Sequence, residues 1–257
     1  MNDEKKAILL SVDLDGERAF LQKDKMRKDI FLQNGLPNAL EFFNNLGIKP
    51  TFFVVGRNAL DFPKEHRMLK KYDIGNHSFS HINFSSLNYV EKENEIKKGE
   101  DAIKKIIGKK PKVFRAPDYS IDESSISILK RRGYLADSSL LKVIFPFRYY
   151  KNYLLNKNLD RDKFEIPMTH TLLPFNGTSM INYGVDKSAI MLERISKNGR
   201  ILNINFHDRD FTNEGIKSHL FLNREKSRET TEKIIEFMNE RFRIISFDDF
   251  LSLKQRL

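Results

Sequence analysis

Short apolar runs alternate with stretches of helical period along almost the whole chain. Ala7 to Val12 is apolar except at Ser11 and reads as a buried strand. Leu36, Leu40 and Phe43 then form a helical stripe, which Gly47 closes as a C′ glycine with Pro50 beyond it. Thr51 to Val55, β-branched and aromatic, predicts the next strand. Leu60 to Tyr72 predicts a helix, and Asp73-Ile74-Gly75 a very short strand. Asn88 to Gly108 carries the clearest helical signal. Asn88 with Glu91 forms a capping box, Ile96, Ile103, Ile106 and Ile107 share a face, and Gly108 and Pro111 stop it. Val113-Phe114 predicts a strand, and Ile121 and Ile126 straddle Asp122 as a hydrophobic staple for a helix ending at Gly133. Tyr134 to Ala136, Phe164 to Met168, Ile201 to Phe206 and Arg243 to Phe247 predict four more strands. Ser188 to Ser196 and Glu225 to Arg241 predict helices. Between Leu140 and Lys163 the alternation breaks.

Strand-helix alternation of this kind implies an α/β fold with a parallel sheet, either doubly wound or closed into a barrel. Neither an internal repeat nor a Gly/Ser-rich linker interrupts it, so residues 1–257 are expected to form one domain with an insertion at about 140–163. The polar residues fall at informative places. Asp13, Asp15, His77, Arg115, Asp137 and His207 all lie at or just past the C-terminal ends of predicted strands, where both architectures build their sites. Each has an ordinary reading as a cap or surface residue, but six on one face point to a site. His77 and His81 stand four apart, a spacing at which two neutral imidazoles can converge on one divalent metal.

Composition narrows the chemistry. The chain has no cysteine, which excludes disulfides, zinc-thiolate centres and cysteine nucleophiles. The net charge of +10 favours anionic partners, but the lysines are spread along the chain. Nothing resembles a recognition helix or a nucleic-acid-binding aromatic platform, so nucleic acid is not expected. The apolar run before Asp13 is too short for a signal peptide core or a membrane span. The expectation is a cytoplasmic protein, with peripheral contact at the inner membrane surface as a further option.

Five ordered segments carry a resemblance: Ser11-Val12-Asp13-Leu14-Asp15-Gly16-Glu17, His77-Ser78-Phe79-Ser80-His81, Phe114-Arg115-Ala116-Pro117-Asp118-Tyr119-Ser120, Ala136-Asp137-Ser138-Ser139 and Asn205-Phe206-His207-Asp208. They resemble the motifs of the polysaccharide deacetylases, carbohydrate esterase family 4 or NodB-homology enzymes. The resemblance implies a distorted (β/α)7 barrel, TIM-barrel-like, and metal-dependent hydrolysis of N-acetyl or N-formyl groups on sugars. It departs from most members in having Asp-x-Asp in place of adjacent aspartates, as in the branch with intracellular amidases and lipid-linked-sugar deformylases.

By resemblance to that branch, Asp15, His77 and His81 are the metal ligands and Asp13 the general base, with the two aspartate roles open to exchange. A carboxylate and two imidazoles leave positions on a divalent ion for water and a carbonyl oxygen. Zinc is the expected metal, and iron, cobalt, nickel or manganese would suit the same ligands. The backbone N–H of Tyr119 is implied as an oxyanion donor, His207 as the general acid, Asp137 as the group that holds its ring, and Arg115 as the partner of Asp13. The expected partner is an N-acylated sugar, on a lipid or nucleotide carrier or in a polysaccharide.

The aromatic and basic residues of the 140–163 segment, among them Phe145, Phe147, Tyr149, Tyr150, Tyr153, Lys142, Arg148 and Lys151, are either ordinary core or a lid that meets an anionic lipid carrier. His170 lies near the expected cleft, and His66 and His219 read as surface residues. A same-fold amidase acting on a non-sugar amide or imide, and a catalytically silent carbohydrate-binding barrel, are the competing functions.

Overall fold

The computed structural model describes residues 5–21, 27–143, 150, 153–154, 156–161, 163–197, 199, 201–215 and 224–254. Seven strands, all parallel, form one curled sheet: β1 (Ala7–Leu14), β2 (Thr51–Val54), β3 (Asp73–Asn76), β4 (Val113–Phe114), β5 (Ala136–Asp137), β6 (Leu202–His207) and β7 (Arg243–Ile245). Their order is β5-β4-β3-β2-β1-β6, with β7 pairing β1 at Ala7 to Leu9. The register sets Asp13 beside His207 across β1 and β6, and Asn76 beside Phe114 across β3 and β4. Strand ends that carry the polar motifs are thereby drawn to one rim.

The alternation of β1 shows why the sheet curls as it does. Ile8, Leu10, Val12 and Leu14 join the outer core, together with Phe52 and Val54 of β2 and Leu202, Ile204 and Phe206 of β6. The helices are α1 (Arg18–Leu21), α2 (Leu36–Leu46), α3 (Gly56–Asp61), α4 (Pro63–Arg67), α5 (Tyr89–Ile107), α6 (Glu123–Arg131), α7 (Gly177–Tyr183), α8 (Val185–Ser196), α9 (Ser227–Arg241) and α10 (Phe247–Lys254), and α2, α3, α5, α7, α8 and α9 supply the side chains that cover this face. The alternate residues face inward, because side chains on a strand switch sides at each step. Leu9, Phe53, Ile245, Phe247 and Leu251 plug the lower interior. Above them the interior turns polar, with Ser11, Asp13, Arg115, Ser138, Asn203 and Asn205 buried together.

The fold is the expected distorted (β/α)7 barrel, and its distortion is local. Residues 164–168 do not form the strand that their apolar pattern predicts. They make one bridge, Asp137 to Glu165, with the Ile166 N–H donating to the Asp137 carbonyl at 2.8 Å. Pro167 has no N–H to extend a ladder. On the other side the Thr169 N–H donates to the Asn203 carbonyl at 2.9 Å, so this irregular segment links β5 to β6.

The predicted helix at Leu60 to Tyr72 is also divided, into α3, α4 and a 3-10 turn at Met68–Lys71, because Pro63 restarts the helix as an N-terminal residue. Helix α5 follows the sequence closely, with the Asn88–Glu91 capping box formed and Gly108 left-handed at φ 82°. Helices α7 and α10 had no sequence signal strong enough to predict them. Among the described residues no helix is long and apolar enough to cross a membrane.

Candidate active site

The rim of the barrel encloses a cavity of about 380 Å³, lined among others by Asp13, Asp15, His77, His81, Arg115, Tyr119 and His207. Seven of the eight residues singled out from the sequence therefore meet at one place. Asp137 is the exception, since it does not line the cavity.

The loop after β3 presents the two imidazoles in a tightly fixed way. Glu95 on α5 accepts from the N–H groups of Phe79 and Ser80, at 3.1 and 2.8 Å, and from the Ser80 hydroxyl at 2.8 Å. The Gly56 and Arg57 N–H groups donate to the carbonyls of Ser78 and Phe79. Ser78 and His81 are held in the left-handed region, at φ 65° and 58°, as are Asp118 and Tyr119 in the loop after β4. Four non-glycine residues in that region, all in loops of one rim, mark a place where packing over-determines the backbone. His77 Nδ1 lies 2.7 Å from the Arg115 carbonyl. A carbonyl can only accept, so Nδ1 carries the hydrogen and Nε2 is left to bind a metal.

Nε2 of His77 and of His81 stand 3.4 and 3.3 Å from Oδ1 of Asp15. One ligand atom from each of the three residues falls within 4.8 Å of the others. Oδ1 is buried and has no hydrogen-bond donor among the described residues. A buried carboxylate oxygen without a donor is costly unless something positive meets it, and two imidazole nitrogens aimed at the same point supply the rest of a divalent ligand set. The donor set suits a transition metal.

The electrostatics agree. Burial works to raise the Asp15 carboxyl, but His81, His77 and His207 outweigh it and hold Asp15 well below the usual carboxylate range. Burial likewise works to lower His81, and Asp15 overcomes it so that the imidazole is raised. The field that draws a proton to this point is the field that would draw a cation.

Asp13 is fixed through both oxygens. Arg115 Nη1 donates to Oδ1 at 2.6 Å and the Asn205 amide donates to Oδ2 at 2.7 Å. Arg115 is wholly buried, lies 4.0 Å from the centre of the Phe53 ring, and also donates to Ser11 Oγ, Ser138 Oγ and the Ser138 carbonyl. Each Asp13 oxygen keeps acceptor capacity toward the cavity. His207 Nε2 reaches to 4.0 Å from Asp13 Oδ2 and 3.8 Å from Asp15 Oδ2, so the two carboxylates and the imidazole share one small volume.

Two expectations are revised. The carboxylate beside His207 Nδ1 is Asp210, at 3.5 Å, where Asp137 was expected. Asp210 also accepts from the His207 N–H at 2.9 Å. Asp137 instead accepts from the Ser139 N–H and hydroxyl and pairs with Glu165. Burial raises both of these carboxyls, and the neighbouring Asp137 adds to the rise of Glu165, which lies well above its ordinary range. The Tyr119 N–H is donated to the Ala116 carbonyl at 3.1 Å. An oxyanion role for it requires that bond to be shared or broken.

His66 is fully buried and not a surface residue. Its Nδ1 lies 2.8 Å from the Phe62 carbonyl, and burial pushes it down to about 4. His170 pairs with Pro174 beside the cavity but does not line it. His219, and Phe145, Phe147, Arg148, Tyr149 and Lys151 of the expected lid, lie outside the described residues.

Several site residues escaped the sequence reading: Asp210, Arg209, Asn205 and Ser11. A signal existed for Asn205. In β6 the inward positions Asn203, Asn205 and His207 alternate with Leu202, Ile204 and Phe206, so polar residues at period two in a fully buried strand mark the interior wall.

Comparison with known proteins places this geometry. The family model for polysaccharide deacetylases matches residues 2–136. The chain is 30% identical over 146 residues to the peptidoglycan deacetylase-like protein FGM2 of Gibberella zeae, covering 52% of this chain and 43% of that protein. It is 31% identical over 101 residues to the peptidoglycan-N-acetylglucosamine deacetylase of Bacillus cereus, covering 38% of this chain and 37% of that one. The matches thus span about half or less of these relatives. In three dimensions the chain superposes on peptidoglycan deacetylase PdaC from Bacillus subtilis with a TM-score of 0.58, at 16% identity, over 100% of this chain and 95% of that one.

Proposed function

Because the chain belongs to the polysaccharide deacetylase family, we propose that it is a metal-dependent hydrolase that removes an N-acetyl or N-formyl group from an amino sugar. The observation that carries this reading is the buried, donor-free Oδ1 of Asp15 facing the Nε2 atoms of His77 and His81, with Asp13 beside it. Asp15, His77 and His81 would hold the ion. When bound, it would polarise the amide carbonyl and acidify water next to it.

The chain's own residues divide the remaining work. Asp13, oriented by Arg115 and Asn205, takes a proton from the attacking water as its oxygen bonds to the acyl carbon. His207 then gives a proton to the sugar nitrogen as the C–N bond breaks, so that acetate and a free amine leave. Asp210, 3.5 Å from Nδ1, stands where it orients the ring for this step. Arg115 sits where no water reaches, so the Asp13 carboxylate is held by fixed dipoles and not by solvent that would have to reorganise.

Substrate class follows from the relatives and the cavity wall together. Relatives of this chain include the Bacillus cereus protein named for peptidoglycan-N-acetylglucosamine deacetylation and a chitin deacetylase of Pestalotiopsis sp, which supports an N-acetylated sugar polymer or its precursor. Leu173 and Pro174 line the cavity and Leu172 beside them is 67% exposed, which supports a substrate whose sugar is followed by an apolar portion, as on a lipid carrier. Zinc is the first metal to test.

Acetate release from N-acetylglucosamine oligomers and from an undecaprenyl-linked N-acetyl sugar, with zinc, cobalt or iron supplied, tests the proposal. Release that Asp13→Asn and His207→Ala abolish supports it. Wild-type protein that is metal-loaded and inert on every N-acyl sugar would move the reading to an amidase of another substrate class.

A further inference from the structure

Asp15 is gripped at one oxygen only. Oδ2 receives Arg209 Nη1 at 2.9 Å, while Oδ1 has no donor and faces the two imidazoles. Arg209 is no surface side chain that happens to reach the site. It is 7% exposed, lies with its guanidinium 5.5 Å from the centre of the Phe20 ring, and lines the same cavity.

Its backbone is also pinned. The Arg209 N–H donates to Asp208 Oδ1 at 2.8 Å, and Asp208 Oδ2 accepts from the Gly16 N–H at 2.8 Å. The turn after β6 that carries Arg209 is thus stitched to the turn after β1 that carries Asp15. Gly16 is left-handed at φ 64°, and a Cβ there would come within 2.5 Å of Asp29 Oδ2, so the turn accepts no larger residue without movement.

The chemistry of a carboxylate gives this one-sided grip a consequence. A free carboxylate can bind a metal through one oxygen or chelate it through both. With Oδ2 engaged by a guanidinium, only Oδ1 is offered, and a fixed positive charge stands behind the ligand. Both effects weaken metal binding, and the first keeps a position open for water or substrate. Resting on the metal-site reading above, we propose that Arg209 is a positioning residue that restricts Asp15 to one ligating oxygen, giving up metal affinity to keep the ion accessible to water and substrate.

A purely structural salt bridge would behave in the opposite way, since losing it would loosen Asp15 and weaken the metal together with turnover. The experiment compares wild type, Arg209→Met and Arg209→Lys for zinc and cobalt affinity by competition with a chromophoric chelator, with kcat and KM measured at saturating metal. The expected result is metal binding tighter by about tenfold or more in Arg209→Met, with kcat lower by about tenfold or more. Arg209→Lys, which keeps the charge but not the planar fork, should fall between on both readouts, and it carries the test if Arg209→Met does not fold. Metal affinity equal to or weaker than wild type in the variants overturns this inference alone. A wild-type chain that binds neither metal overturns the metal-site reading and this inference with it.

Discussion

Two clusters of buried ionisable groups sit at strand ends of this barrel, and they differ in what their unpartnered oxygens face. In the first, Asp15, His77 and His81 line a cavity, and Asp15 Oδ1 lacks a hydrogen-bond donor. In the second, Asp137 and Glu165 adjoin each other, the Ser139 N–H and hydroxyl, and the Leu140 N–H; Glu165 Oε2 also lacks a partner among the described residues, but neither carboxyl lines that cavity. Both clusters have shifted protonation, so a perturbed carboxyl does not by itself mark chemistry here. An unfilled ligand atom opening onto a cavity separates them. The second cluster is read as structural, a carboxyl pair at the Asp137–Glu165 bridge that joins β5 to the irregular segment leading to β6.

The comparison is broken or sharpened by variants on each side. The largest expected effect is on turnover. Asp13→Asn or His207→Ala should lower kcat by about 10²- to 10⁴-fold in a steady-state acetate-release assay, whereas Glu165→Gln should stay within a few-fold of wild type. Equal losses in both clusters would erase the distinction. Next is the carboxylate beside His207. Asp210→Asn should cost about a hundredfold in kcat, and more than Asp137→Asn, because Asp210 and not Asp137 adjoins the ring.

Stability effects follow. Arg115→Ala would leave Asp13 buried with its strongest partner gone, and should cost about 3–5 kcal/mol in urea unfolding. His66 supplies a pH test far from the site. Its folded value of about 4 lies below the ordinary 6.5, so the unfolded chain binds the extra proton between those values. Stability should therefore fall as pH drops from 6.5 toward 4, by at most about 3 kcal/mol, and be flat in this respect above 6.5. His66→Gln should remove that slope. Glu165 works with the other sign. Its raised value means that the folded state keeps a proton which the unfolded chain releases, so stability declines as pH rises from the ordinary glutamate range through the folded value. Glu165→Gln should flatten that decline.

Much of the fold was legible because the short apolar runs of β1 and β6 and the caps of α5 are local signals. Asn88 with Glu91, and Gly108, suffice to bound a helix without knowing what it packs on. The segment at Phe164–Met168 was misread for a physical reason. Its apolar residues are buried as a strand's would be, but Pro167 and the Asp137–Glu165 contact leave it one bridge and no ladder. His66 was misread because a histidine can be buried by one carbonyl bond to its own helix turn, which no motif announces.

In the site, Asp13, Asp15, His77 and His81 stood in motifs, and the structure brings them together. Asp210 and Arg209 were not, because their roles depend on where a 3-10 turn at Asp208–Phe211 aims their side chains after β6 ends. Asp137 was assigned to His207 by motif order, and only the depth of β5 in the barrel shows that it points elsewhere. Gly177 illustrates the same limit. A Cβ there would come within 2.4 Å of the Phe206 ring and 2.6 Å of Asp210 Oδ2, a close approach that the sequence does not announce.

The central claim is that Asp15, His77 and His81 hold a divalent ion on which hydrolysis depends. The most direct test is elemental analysis of the purified wild-type chain and of a His77→Ala, His81→Ala double variant after equilibration with zinc, with acetate release from N-acetylated sugars read on the same samples. The account predicts about one metal per wild-type chain, with metal and activity lost together in the variant. Metal-free wild type after exposure to zinc, cobalt and iron, or a double variant that keeps its metal and its activity, would contradict it.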